Sequence, residues 1–125
     1  MAWVFDNSIP IYLQLVERIK ILIVSGALRP GEKIDSVRDL AQEAGVNPNT
    51  MQRALGELER EGLIYPVRTS GRFVTEDEEH LKALREEIAT EKIDSLFESL
   101  LSLGYSRKEA IKEVIKRTQY YGEGE

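Results

Sequence analysis

Cysteine is absent from this 125-residue sequence, and histidine and tryptophan occur once each. Without cysteine there is no disulfide framework, no thiolate nucleophile and no cysteine-containing zinc site, and the lone His80 excludes the usual multi-histidine metal centres. Long apolar runs are missing too. Ile21–Val24 falls far short of the roughly 18 residues that a bilayer span needs, and Met1-Ala2-Trp3-Val4-Phe5-Asp6 lacks the basic-then-apolar order of a signal peptide. No nucleophile, base and orienter can be assembled into an enzyme's constellation. These absences predict a cytoplasmic, soluble protein that is not an enzyme and carries no metal or cofactor.

What is present is charge, unevenly spread. The net charge of -5 argues at first against a polyanionic partner. Residues 1–75, however, hold nine Lys/Arg and nine Asp/Glu, whereas residues 76–125 hold eight and 13. The acidic excess therefore lies entirely in the last 50 residues.

Periodicity divides the chain at the same point. Ile11, Leu15, Ile19 and Leu22, spaced 4, 4 and 3 apart, predict one face of a helix from about Pro10 to Ser25, with Gly26 as its stop. Pro30-Gly31 marks a turn. Ser36 is the expected N-cap of a short helix ending at Ala44-Gly45. Asn47 followed by Pro48 is a strong start for a third helix, which runs to about Glu61 and closes at Gly62. Its inner stripe is Met51, Leu55 and Leu58, opposite Asn49, Gln52, Arg53, Gly56 and Arg60. Leu63–Val67 and Arg72–Thr75 then read as a hairpin around Arg68-Thr69-Ser70-Gly71, with Pro66 confining it to an edge. Three helices and a hairpin outline a winged helix.

Beyond Thr75 the pattern is helical again, with Thr75 and Glu78 fitting a capping box. Leu81, Leu84 and Ile88, then Ala89, Ile93, Leu96, Leu100 and Leu103, form a stripe that Gly104 ends; Ser106 and Glu109 cap a last helix carrying Ala110, Ile111, Val114 and Ile115. Gly122-Glu123-Gly124-Glu125 looks frayed. The expected fold is mainly α: a winged helix-turn-helix domain with a small β-hairpin wing (1–75), followed by a two-helix C-terminal tail (76–125).

The helix-turn-helix spacing sets Asn47, Asn49, Thr50, Gln52 and Arg53 where a recognition helix meets base edges, since amides can bond adenine and arginine can bond guanine or phosphate. The same residues would also serve to cap and solubilise a surface helix. Arg38 sits in a first helical turn, where the dipole disfavours a cation. An external phosphate or guanine would offset that, as would an internal partner in Asp35 or Asp39. Arg68 and Arg72 bracket the hairpin tip and could lie along a DNA backbone or simply be solvated.

Fifty residues in two helices have little capacity for a core of their own. The bulky Leu96, Phe97, Leu100 and Leu101, with Ile93, Ile111, Val114 and Ile115, suit self-association; packing back on the same chain is the alternative. The acidic group Glu76–Glu79 lacks the loop pattern of a calcium site and fits a helix start. A protein-interaction adaptor without DNA binding, or a sensor with a ligand between tail and wing, remain rival readings.

Several linked motifs resemble the GntR family of bacterial transcription regulators. They are Pro10-Ile11-Tyr12-x-Gln14-Leu15, Gly26-x-Leu28-x-Pro30-Gly31-x-Lys33-Ile34, Ser36-Val37-Arg38-x-Leu40-Ala41, Gly45-Val46-Asn47-x-Asn49-Thr50-Met51-x-Arg53-Ala54, Leu58-x-x-Glu61-Gly62-Leu63-Ile64 and Gly71-x-Phe73-Val74. The short tail resembles the YtrA subfamily. The resemblance implies a homodimer on a two-fold symmetric operator, usually a repressor, with Ser36, Arg38 and the Asn47–Arg53 stretch at the DNA and the wing tip at Gly71 in or near the minor groove. Two departures stand out. Ile34-Asp35-Ser36 replaces Leu-Pro-Ser, bringing a carboxylate near Arg38. Arg68-Thr69-Ser70-Gly71-Arg72 replaces Arg-Gly-x-Gly-Thr, exchanging a glycine's close approach for the charge of Arg72.

Overall fold

A computed structural model describes residues 3–122. The last three residues of the glycine- and glutamate-rich end, and Met1 and Ala2 at the start, lie outside the described residues. The elements run α1 (Ile11–Val24), α2 (Val37–Ala44), α3 (Pro48–Arg60), β1 (Ile64–Val67), β2 (Gly71–Val74), α4 (Glu78–Ser102) and α5 (Arg107–Tyr121). They form two compact units, Met1–Arg85 and Glu86–Glu125.

In the first unit, α1, α2 and α3 close around one apolar core. Leu15, Ile19 and Ile23 of α1 meet Ala41 and Ala44 of α2 and Met51, Ala54, Leu55 and Leu58 of α3, with Leu63, Ile64, Val74 and Leu81 completing it. The expected stripe of α1 shifts at its end: Ile23 is buried, while Leu22 is half-buried. The buried series Leu15, Ile19 and Ile23 keeps a spacing of 4, which at 3.6 residues per turn rotates the buried face by about 40° per step toward the last turn.

Local capping explains why the helices begin and end where they do. Ser36 Oγ accepts from the Asp39 amide at 3.1 Å and Asn47 Oδ1 from the Asn49 amide at 2.7 Å, each satisfying a first-turn donor. Between α2 and α3, Gly45 takes the left-handed conformation (φ 73°), and the Val46 amide reaches back to the Ala41 carbonyl at 2.9 Å. This sharp reversal sets the angle between the two helices.

The hairpin pairs Ile64 with Val74 and Val67 with Gly71. Gly71 thus begins β2 instead of belonging to the tip. Residues 31–34, expected only as a turn, also run beside β2: the Gly31 amide donates to Val74 O at 2.9 Å, Val74 N to Glu32 O at 2.9 Å and Ile34 N to Arg72 O at 3.0 Å. β2 is therefore flanked on both sides, and Pro66, which has no amide to offer, lies on the outer strand β1.

Thr69 at the tip has φ 68°, a left-handed conformation that costs a β-branched residue about 1–2 kcal/mol. Thr69→Gly is expected to stabilise the first unit by about 1 kcal/mol. A thermal melt measures this; a lowered Tm would show that the threonine side chain contributes more than its backbone conformation costs.

The start of α4 differs from the expected capping box. Asp77, not Thr75, receives the helical amide, its Oδ1 accepting from His80 N at 3.1 Å, while Thr75 Oγ1 accepts from the Asp77 amide at 3.1 Å. Thr75 is still tied to the hairpin, its amide donating to Leu63 O at 2.9 Å, so the helix cannot begin before that bond is left behind. His80, without an evident partner in the sequence, bonds through Nε2 to Glu61 O at 3.0 Å. A carbonyl only accepts, so Nε2 carries the proton, and the histidine satisfies an end-of-helix acceptor of α3.

In the second unit, Ser106 and Glu109 form the expected capping box at α5: the Glu109 amide donates to Ser106 Oγ at 3.1 Å and the Ser106 amide to Glu109 Oε1 at 2.9 Å. The bond from the Ser106 amide holds the Glu109 carboxyl below its ordinary pKa. Ile88 and Ala110 are buried here. By contrast, Ile93, Leu96, Ile111 and Ile115 keep 46–58% of their surface exposed, and Phe97, Leu100, Leu101 and Val114 are half-buried. No helix of the described residues is long and apolar enough to cross a membrane.

Candidate nucleic-acid interface

The N-terminal ends of α2 and α3 carry most of the residues singled out from the sequence. Ser36, Arg38, Asn47, Asn49, Gln52 and Arg53 are exposed, and Thr50 is half-buried. The buried face of α3 (Met51, Ala54, Leu55, Leu58) fixes this outcome, because the residues between those positions have nowhere to point but outward.

Capping already occupies part of this polar set. Asn47 spends a carbonyl lone pair on the Asn49 amide, so its remaining strength is as a donor through Nδ2. Ser36 likewise accepts from Asp39 and keeps its hydroxyl hydrogen to donate outward. The side chains of Asn49 and Gln52 make no hydrogen bond among the described residues. Both retain the donor and acceptor that a bidentate adenine contact uses.

Arg38 stands in the first turn of α2, beside the positive end of the helix dipole. Neither Asp35 nor Asp39 forms an ion pair with it, and among the described residues it has no carboxylate partner at all. The nearness of Asp35 in sequence does not become a contact. An exposed cation held at a positive pole without a counter-ion is suited to an anion from outside.

The wing divides its arginines. Arg68 is exposed at the tip. Arg72 is half-buried and turns toward α3, where Nε meets Glu59 Oε2 at 3.0 Å. Part of its charge is therefore used to brace the wing against α3. Lys33, not among the sequence-derived candidates, crosses the wing at Gly71: a Cβ on that glycine would lie 3.1 Å from Lys33 Cε. Gly71 (φ 113°) thus serves both a backbone conformation and a passing side chain. Only the pairing of residues 31–34 with β2 brings Lys33 here, and spacing in the sequence carries no trace of that pairing.

Cations along α3 are held in different ways. Arg60 pairs with Glu57 one turn back, which raises the guanidinium pKa and lowers that of the carboxyl. Arg53 lies over the ring of Tyr12 on α1, with its guanidinium carbon 3.7 Å from the ring centroid. Lys20 of α1 meets Glu61 at 3.0 Å. Among the described residues no group of three or more acidic or histidine side chains could hold a metal ion.

Comparison with known proteins gives a consistent set of matches. Residues 11–74 match the family described as bacterial regulatory proteins, gntR family. The chain is 34% identical over 110 residues to YhcF, an HTH-type transcriptional regulator of Bacillus subtilis, covering 88% of this chain and 91% of that one. It is 44% identical over 71 residues to the transcriptional repressor YtrA of the same organism, covering 57% and 55%. Among solved structures, a GntR family transcriptional regulator from Listeria monocytogenes superposes with a TM-score of 0.81 at 40% identity, covering 90% of this chain and 98% of that one. The DNA-binding domain of AraR in complex with operator ORX1 superposes with a TM-score of 0.54 at 32% identity, covering 60% and 95%.

Proposed function

The chain belongs to the GntR family of bacterial regulatory proteins, and from that membership we propose that it is a homodimeric repressor acting in the cytoplasm on a two-fold symmetric operator. It is a DNA-binding transcriptional regulator; the dimer, the symmetry and the direction of control are the proposal. In this reading the winged helix of residues 1–75 reads DNA and the tail of residues 76–125 joins two chains.

The observation that carries it is Arg38, exposed, without an ion-pair partner among the described residues and seated at the positive pole of α2, together with the exposed side-chain amides of Asn49 and Gln52 on α3, which make no hydrogen bond there. Asn49, Gln52 and Arg53 face base edges, assisted by Thr50. Ser36 and Asn47 donate to phosphates that flank the reading helix. Arg68 lies along the backbone at the wing tip, Gly71 follows it at the start of β2, and the outer nitrogens of Arg72 add to it while Glu59 holds its Nε. The exposed Ile93, Leu96, Ile111 and Ile115, with Phe97, Leu100, Leu101 and Val114, provide the dimer face.

YtrA is named a transcriptional repressor, and the AraR domain was crystallised on an operator; both agree with repression through direct operator contact. A salt titration tests the reading. Several phosphate contacts per chain should make the logarithm of affinity fall steeply and linearly with the logarithm of salt concentration. No specific duplex affinity at any salt concentration would leave the winged helix as a protein-interaction adaptor.

A further inference from the structure

We infer that Tyr12, on the helix that does not enter the groove, is the positioning residue that orients Arg53 for DNA; the inference rests on the DNA reading proposed above.

Three arginines lie on α3 or beside it, and they are held in two chemically different ways. Arg60 and Arg72 are held by carboxylates, Glu57 and Glu59, which fix the side chains but also neutralise them. Arg53 has no ion pair among the described residues and rests on an aromatic face. A ring attracts the guanidinium through its quadrupole without cancelling the charge or occupying its donors. With the guanidinium carbon 3.7 Å from the ring centroid, the N–H groups remain available to an acceptor.

The ring itself is well supported. Tyr12 is half-buried on α1, one turn before the buried Leu15 and Val16, whereas Arg53 is exposed. Ala54 and Leu55, next to Arg53, are fully buried in the same core. The distance between the two backbones is thus set by packing, and the stack exists before any DNA arrives. An unrestrained arginine would lose its rotamer freedom on binding; here that loss is already taken in the free protein.

The test uses the full chain and the duplex that it selects from random DNA. Arg53→Ala should weaken binding by about tenfold or more. Tyr12→Leu should lose most of the same factor, the double variant should bind no worse than Arg53→Ala, and Tyr12→Phe should bind as the wild type does. Tyr12→Leu binding normally, losses that multiply in the double variant, or a phenylalanine as damaging as leucine would each overturn the inference. The Arg53 Nε–H resonance of the free wild-type protein gives an independent reading: a ring-current shift supports the stack, and a random-coil shift overturns it. If the chain selects no duplex at all, the DNA reading fails and the inference with it. If it selects one that Tyr12→Leu binds unchanged, only the inference fails.

Discussion

Arg38→Ala is expected to weaken operator binding by about 1–3 kcal/mol, a loss of roughly five- to 150-fold, without destabilising the protein. The two halves of that expectation come from one geometry. Arg38 is exposed and makes no ion pair among the described residues, so removing it leaves no orphaned partner. Its position in the first turn of α2 opposes the helix dipole, so the alanine variant should melt at the same temperature as the wild type or slightly above. A residue that costs stability in the free chain and gains affinity in the complex has its counter-ion on the ligand. Binding measured against the preferred operator and a scrambled duplex separates two roles. Loss on the operator alone means a base contact, equal loss on both means a phosphate contact, and unchanged affinity removes Arg38 from the interface. Arg38→Lys adds a second comparison, because lysine keeps the charge but not the planar fork that binds guanine bidentately.

Leu96→Glu is expected to convert the proposed dimer to monomers. Leu96 keeps 46% of its surface exposed within its own chain, so a carboxylate there can stay in water when the chain is alone. In a symmetric dimer each substitution would be buried twice, against apolar neighbours such as Ile93 and Leu100 that cannot pair with it. The dimer dissociation constant should rise at least about a hundredfold, equivalent to about 2.7 kcal/mol. Operator affinity should fall with it, by about two to four powers of ten, because a monomer loses the effective concentration that the second half-site provides. Sedimentation measures the first effect and operator titration the second. A variant that stays dimeric would show that the stripe is not the interface.

Much of the head could be read from the sequence because its cues are local. Ser36, Gly45, Asn47-Pro48 and Ser106 with Glu109 act on amides and carbonyls within a few residues, and each cap or stop occurs where spacing indicated. The features that could not be read join distant residues. The strand-like run 31–34 depends on β2, the cap at Asp77 on the bond between Thr75 and Leu63, and the role of His80 on the end of α3. The same holds at the site. Residue type and helical position sufficed to place Arg38, Asn49 and Gln52 on the exposed faces of their helices. Whether an arginine is unpaired, held by Glu59 or stacked on Tyr12 depends on side chains up to 41 positions away, as between Tyr12 and Arg53.

The division of charge takes on a physical sense in this setting. On the proposed reading, a head with balanced charge and a few uncompensated cations would bind where several contacts coincide, and an acidic tail would be repelled by phosphates. Selection from random duplex DNA by the purified full chain, followed by sequencing, tests this most directly. Two inverted half-sites with centres about one helical turn, roughly 34–36 Å, or a multiple of it apart are expected. Enrichment of a single unrepeated half-site, or of no sequence, would contradict a symmetric dimer reading an operator.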